Sequence, residues 1–485
     1  MLAESRNLID GKLADSQSGR VFETVNPATE QVLGVVADAD SADLDQAIGA
    51  ARRAFDESRW SGDLSFRLRC LRQLHSAMSS HSEELRDLTV AEVGSPVSLT
   101  RSAQLDDPIK SIAWIADAAE SYEWERDLGE ASPLGINSRR WLVREPVGVV
   151  GAITPWNVPH QINLAKIGPA LAAGNTVVLK PAPDSPWCAT SIGRLVAEET
   201  DIPAGVLNIV ASSDHSLGVQ LVSDSRVDMI SFTGSTATGK AVMRGAADTV
   251  KKVFLELGGK SAFVILDDAD IEMASLVAAY TVCTHAGQGC AITTRLLAPK
   301  EIFGDVVSKV AQVMNKLPAG DPTDPRTVCG PLISNKQRER VEKYLAIASQ
   351  QGGTFVVGGS RPDYPDKGFY IQPTLITGIG NDSVVSQQEI FGPVLVALQF
   401  DGEDQALSLA DATDYGLSAS VWSSDRDRAM NFAKRLRTGT VSVNGGIWYS
   451  PDVPFGGYKQ SGIGREMGTM GFEEYLEAKS IAEPA

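Results

Sequence analysis

The stretch GQGCAITTR, residues 287–295, sets Cys290 behind two glycines and ahead of two threonines. A thiolate at such a place is a nucleophile for a carbonyl carbon, provided a base or a depressed pKa activates it. A free cysteine is equally at home as a small apolar residue filling a gap. Glu256 is the natural candidate for the base. It interrupts the strand-like run FLELGG between Leu255 and Leu257. On a plain strand that position faces solvent. In a cleft, burial would raise the carboxyl toward a useful general-base value. Lys180 ends the run VVLK, TPWN (154–157) follows GVVGAI, and FTGSTATGK (232–240) follows another apolar run. Gly234 and Gly239 in the last stretch would let the backbone approach a ligand. A helix opening behind them would offer N–H groups to a phosphate. By themselves these features also fit an ordinary strand-to-helix turn and a surface lysine.

The elements that must position these groups follow from the hydrophobic pattern. GVVGAIT, NTVVLK, GVLNIVAS, VDMISFTG, VFLEL and SAFVIL are short apolar runs of strand type, mostly separated by helical segments. QINLAKIGPALAAG has helical spacing and stops at Gly174. SPWCATSIGRLVAEE opens with Ser185 as expected N-cap and Pro186 at the first helical position. Such alternation predicts parallel strands covered by helices. Open sheets of this kind bind ligands beyond the carboxyl ends of their strands. TRLLAP, EIFGDVVSKVAQVMNKL and GTFVVGG predict a second α/β unit from about 260 to 445. The segment SYEWERDLGEASPLGINSRRWLVREP reads as a projecting hairpin or as a plain surface excursion.

Composition narrows the partners. The 485 residues allow two or three domains at roughly 150 residues each. Lys and Arg total 44 against 61 Asp and Glu, a net charge of -17, with no basic block. Nucleic acid and anionic membrane are therefore poor partners. No apolar run is long enough to span a bilayer. The amino-terminal MLAESRNLIDGKLADSQSG lacks the pattern of a secretory signal. The five cysteines (Cys70, Cys188, Cys283, Cys290, Cys329) are odd in number and scattered, which predicts reduced thiols in the cytoplasm. Histidines and cysteines show no metal-ligand spacing. There is no internal repeat and no low-complexity tract.

Taken in order, NPATE (26–30), TPWN, LKP, FTGST, LELGGK, GQGC, EIFGP (389–393) and PFGGYKQSG (454–462) resemble the aldehyde dehydrogenase superfamily over nearly the whole chain. The resemblance implies a Rossmann-like NAD(P)-binding domain (1–123 and 146–255) and an α/β catalytic domain (256–445). It also implies a small β oligomerisation segment (124–145 with 470–485) and a return of 446–469 to the cofactor and substrate side. Members form homodimers and homotetramers. By resemblance Cys290 attacks the aldehyde carbon, and the oxyanion is met by the Asn157 side-chain amide and the Cys290 N–H. Hydride leaves for the nicotinamide, and Glu256 activates the water that hydrolyses the thioester. Lys166 and Glu466 match positions linked to proton exit. Thr154, Pro155, Trp156, Lys180, Pro183, Gly234, Ser235, Leu257, Glu389 and Phe391 match cofactor-binding positions. Because members that use coenzyme A generally lack a glutamate at the place of Glu256, the implied product is a free acid.

Two departures shape the expectations. Pro183 stands where many NAD-preferring members have a glutamate, so NADP is less strongly excluded, although NAD is favoured because nothing basic has appeared beside Lys180. In the implied substrate pocket, Val158, Ile162 and Ala165 are smaller than usual, and Gly289 and Ala291 flank the nucleophile. A roomy apolar pocket and a bulky or hydrophobic aldehyde are expected, with Trp448 either walling the mouth or simply packing. Two alternatives remain: a cysteine hydrolase or acyltransferase without a redox step, and an NADP-preferring semialdehyde dehydrogenase.

Overall fold

The computed structural model describes residues Met1–Ala485. Five parallel strands form the middle of the first sheet: Val149–Ile153, Thr176–Lys180, Leu207–Ile209, Met229–Thr233 and Lys252–Glu256. Across the sheet they run in the order Leu207, Thr176, Val149, Met229, Lys252. The first strand in sequence is thus central, and the order reverses between Val149–Ile153 and Met229–Thr233. That reversal opens a crevice at the carboxyl ends of those two strands, where open sheets of this type take their ligands. The strands are buried on both faces, which is why they read as continuous apolar runs. Asn7–Ile9 and Lys12–Ala14 extend one edge, and the two-residue strand Gly462–Ile463 closes the other against Leu255 and Glu256.

The second sheet has seven strands, in the order Thr354–Val357, Thr374–Thr377, Val394–Phe400, Thr293–Pro299, Ser261–Ile265, Ser418–Trp422 and Thr440–Val443. All pair parallel except the Thr354 edge strand. Each sheet carries its own buried apolar clusters. The chain crosses between the sheets within the four residues Leu257–Lys260, so Glu256 ends a strand of one sheet just before the other begins.

The hairpin reading of 124–145 is the observed one. Glu125–Ala131 pairs with Ser138–Pro146, which pairs along its whole length with the carboxyl-terminal strand Leu476–Pro484. No helix is long and apolar enough to cross a membrane.

Helix Pro159–Ala173 is buried at every position and ends at Gly174, whose φ of 98° reverses the chain. The helix after Lys180 corrects an expectation. It spans Trp187–Glu199, Pro186 sits at its cap, and the Ser185 hydroxyl is buried without a partner. Its first N–H groups are satisfied from another helix. Trp187 and Cys188 each donate 2.8 Å bonds to the Glu92 carboxylate, which also accepts from Thr24. Ser185 carries the local cap signal, but a long-range carboxylate meets two orphan donors at once.

Candidate active site

Cys290 lies on a loop built from unusual backbone. Helix Ile271–Cys283 ends, and His285, Ala286 and Gly287 then take φ of 50°, 52° and 70°. Left-handed geometry costs a residue with a side chain about 1 kcal/mol or more, so something must hold it. The buried Gln288 does much of this. Its Nε2 donates to the carbonyls of His285 (3.1 Å) and Pro331 (3.2 Å), and its Oε1 accepts from the Ile333 N–H at 2.9 Å. Gly287 admits no side chain, because a Cβ there would lie 2.1 Å from the Gly392 carbonyl oxygen.

Asn157 comes to this loop from the end of the Val149 strand. It is 3% exposed, and its Nδ2 donates to the Gln288 carbonyl at 2.9 Å, two residues before the thiol. Its own carbonyl accepts from Gln104 Nε2 (3.0 Å) and lies 2.8 Å from His285 Nε2. Thr154, three residues earlier, donates its N–H to the Lys180 carbonyl and its hydroxyl to Asn163. The strand end is therefore rigid before any ligand arrives.

Glu256 reaches the same place from the Lys252 strand. It is 2% exposed, and neither carboxylate oxygen has a hydrogen-bond partner in the protein. Burial, reinforced by Glu466, pushes its carboxyl well above the ordinary range, against smaller opposing effects of Lys166 and Arg465. An unpartnered buried carboxylate of this kind is a base waiting for a proton donor. The two glycines that follow explain the crossover. A Cβ on Gly258 would fall 2.5 Å from Glu389 Oε2, and one on Gly259 would fall 2.6 Å from the Cys290 carbonyl oxygen. Only glycines let Glu389 and the cysteine loop press against the chain just after Glu256.

Cys290 is half-buried, the only one of the five cysteines that is not fully buried. Burial, followed by Glu256, Glu389 and Glu466, pushes its thiol up rather than down. No cation lowers it. A thiol so placed needs a base to lose its proton, and Glu256 has the charge and the raised proton affinity for it. No cluster of His, Cys, Asp or Glu is arranged to hold a metal ion.

Behind Glu256 runs a buried polar chain. Lys166 Nζ lies 3.3 Å from Glu466 Oε1 and 3.2 Å from the Ser231 hydroxyl, which lies 2.9 Å from Tyr475 OH. Burial lowers the Lys166 ammonium.

The cofactor candidates end or follow strands of the first sheet, except Glu389 and Phe391, which precede the Val394 strand of the second. Lys180 ends its strand buried, with one long bond (3.4 Å) to the Ser212 carbonyl. Burial lowers its ammonium to about 8, against the opposing charges of Asp214 and Asp38. Pro183 and Asp184 are half-buried on the loop beyond it. Ser235 caps helix Thr236–Ala246, accepting from the Thr238 N–H, and is exposed. Glu389 Oε1 accepts from the Gly259 N–H at 2.9 Å, and burial raises its carboxyl to about 7. Trp156 meets Phe391 edge to face at 5.4 Å. Pro155, between Thr154 and Trp156, is half-buried.

Three glycines have packing reasons of their own. Gly234 and Gly239 leave no room for a side chain, because the Phe232 ring and the Leu257 side chain occupy the space a Cβ would take. Leu257 is thereby committed to packing on the helix at Gly239. Nor does Gly289 add room beside the thiol. A Cβ there would lie 2.9 Å from Ile292, which already occupies the space. Ala291 is half-buried next to Cys290, Val158 is half-buried at the start of its helix, and Ile162 is buried within it. Ala165 borders a cavity of about 30 Å³ shared with Gln161, Trp114, Met467 and Phe472. Trp448 stacks on Phe455 at 5.2 Å and 10°.

His285, Gln104 and Gln288 were not singled out from sequence. Gln288 adjoins Cys290 in GQGC, which was the available signal. His285 and Gln104 act through contacts far apart in sequence that no local pattern reveals.

The chain is similar to known proteins over almost its whole length. Residues 13–481 match the model of the aldehyde dehydrogenase family. The chain is 40% identical over 476 residues to a 3-succinoylsemialdehyde-pyridine dehydrogenase of a Pseudomonas species, covering 98% of this chain and 97% of that protein. It is 37% identical to the betaine aldehyde dehydrogenase of Bacillus subtilis, covering 98% and 96%. The solved structure of a Staphylococcus aureus betaine aldehyde dehydrogenase in complex with NAD+ superposes with a TM-score of 0.95 at 35% identity, covering 99% of this chain and 95% of that one. With the family model matching residues 13–481 and this likeness running through both sheets, the chain belongs to the aldehyde dehydrogenase family.

Proposed function

We propose that this enzyme oxidises an aldehyde to the free carboxylic acid with NAD, using Cys290 as nucleophile and Glu256 as base. The observation that carries the reading is the convergence of three elements at the sheet junction: the Cys290 loop, the Asn157 amide bonded to it, and the unpartnered Glu256 carboxylate. Glu256 takes the thiol proton and Cys290 attacks the aldehyde carbon. The oxyanion of the thiohemiacetal then takes the Asn157 Nδ2–H, in place of the Gln288 carbonyl, together with the Cys290 N–H. When bound, the nicotinamide supplies the hydride acceptor. Glu466 with Lys166 carries the thiol proton away from Glu256, which is then free to remove a proton from water as it attacks the thioester and Cys290 leaves as the thiolate.

The residues present fit a dinucleotide. Lys180 is a buried ammonium with spare donors, the Ser235 helix end is open, and Glu389 has a second oxygen free of the Gly259 bond. Asp214 and Asp38 near Lys180 make the adenosine end acidic, which favours NAD over the extra phosphate of NADP. Two of the solved relatives, from S. aureus and Bacillus cereus, are NAD+ complexes.

We assign the first sheet with its helices to the cofactor and the second to the nucleophile. The three-stranded sheet is the subunit contact of a homodimer or homotetramer, where it exposes Leu128, Leu134, Ile136 and Ile481. Five unpaired thiols suit a reducing cytoplasm. Reduced-nicotinamide absorbance with graded aldehydes and both cofactors tests the reading. Hydrolysis of an ester or thioester, with no nicotinamide reduced by any aldehyde, would instead show a hydrolase.

A further inference from the structure

We propose that the enzyme selects aldehydes whose apolar body carries one neutral hydrogen-bond acceptor, such as a ketone oxygen, and that the Gln161 amide binds it. The proposal rests on the reading of Cys290 and its neighbours as an aldehyde-oxidising site.

Gln161 lies four residues beyond Asn157 and is 8% exposed. Its Oε1 accepts from the Tyr449 hydroxyl at 2.5 Å, while its Nε2 has only the Met467 thioether at 3.7 Å. A thioether is a weak acceptor, and a primary amide has two N–H groups to place. One donor is thus badly served and the other is unserved, in a nearly buried side chain. The same amide borders the cavity of about 30 Å³. The other walls are chiefly apolar: Trp114, Ile115, Leu164, Pro451 and Phe472. Ser111 also borders the cavity, but its hydroxyl donates to the Pro108 carbonyl. Gln161 Nε2 and the half-buried Trp114 indole are the donors left in the wall. The volume holds one small polar group.

The partners of Gln161 adjoin residues near the reaction centre along the chain. Met467 follows Glu466. Tyr449 follows Trp448, which stacks on Phe455, and a Cβ on the next residue, Gly456, would lie 2.7 Å from Glu256 Oε1. A buried amide that finds no acceptor in the ground state discriminates strongly, because substrates without an acceptor leave it unpaired. No lysine or arginine borders the cavity, and Asp107 and Glu466 both act on the Tyr449 phenol. An ionised carboxylate is therefore the wrong acceptor.

The full-length enzyme with NAD is assayed on 4-oxo-4-phenylbutanal and on 4-phenylbutanal, which differ by one carbonyl. Wild type should favour the ketoaldehyde roughly tenfold in kcat/KM, mainly through KM, and 4-oxobutanoate should be the poorest of the three. Gln161→Leu, which keeps the shape, should bring the two phenyl substrates to near equality. Tyr449→Phe, which leaves Nε2 in place, should keep most of the preference. Equal wild-type values, a good rate with 4-oxobutanoate, or a ratio unchanged in folded Gln161→Leu would overturn the proposal. The wild-type comparison decides it even if the variant does not fold. No reduced nicotinamide from any aldehyde, with NAD still bound, would instead overturn the underlying reading.

Discussion

The imidazole Nε2 of His285 lies 2.8 Å from the backbone carbonyl oxygen of Asn157. A carbonyl only accepts, so Nε2 carries the proton and donates. Burial holds this imidazole neutral, lowered to about 4, and its Nδ1 has no partner. One residue of the left-handed turn before Cys290 thus grips the residue to whose amide we assign the oxyanion. His285→Leu should lower kcat/KM by roughly tenfold, the value of one buried neutral hydrogen bond, mostly in kcat, with NAD affinity unchanged. His285→Gln, which can donate from a similar distance, should recover part of it. An unchanged kcat in His285→Leu would show that the contact only fills space.

Cys290→Ala should abolish aldehyde oxidation while leaving NAD binding intact, checked by calorimetry beside the absorbance assay. Cys283 cannot substitute, since it is buried at its helix end and burial raises its thiol to about 12. Substantial turnover in the variant would refute the assignment.

Asn157→Ala should slow kcat by on the order of 10²-fold, the usual loss for one oxyanion donor. A change below a few-fold would place the oxyanion elsewhere.

Glu256→Gln should slow both the first turnover and the steady state, read as slow release of the first reduced nicotinamide with no full burst, because the thiol and the attacking water both lose their base. In wild type, kcat/KM should fall on the acid side at a pH well above 4.5, since burial raises this carboxyl and only its ionised form is a base. Stability should move the opposite way. The folded state holds the Glu256 proton more tightly than the unfolded chain, so stability falls as pH rises from about 4.5 through the raised folded value. Glu256→Gln should therefore raise Tm at pH 8 more than at pH 5. Equal shifts at both would show that the carboxyl is not held up by burial.

Pro183→Glu should lower kcat/KM with NADP roughly tenfold or more beyond any effect on NAD, by setting a carboxylate against the 2′-phosphate. Wild type should retain some NADP activity. Complete rejection of NADP by wild type would assign the discrimination to other groups, with Asp38 and Asp214 the first to test.

The α/β class, the strand runs and the family were legible because they are local or ordered along the chain. Each buried parallel strand must be apolar on both faces, and the eight motifs keep their sequence. Glu256 and Cys290 stood out because polar groups interrupt apolar or glycine-rich runs. The roles of neighbouring residues were less legible. Gly289 read as empty space, yet Ile292 fills it, and the space a Cβ would take at Gly234 is held by Phe232. A missing side chain in sequence does not say which neighbour moves in.

What the sequence by itself determined is the set of chemically able residues and the elements carrying them. Only the tertiary structure decided how they meet. Asn157 and Glu256 stand at carboxyl ends of strands in the first sheet, whereas Cys290 precedes the Thr293 strand of the second. The strand-end rule finds the first two and is silent on the third. Cys290 is brought to them by long-range bonds from Gln288, Asn157 and His285, and by close backbone contact at Gly259. The physical reason is that periodicity encodes which face of an element is buried, while the meeting of two sheet edges is set by packing between residues from tens to more than a hundred positions apart.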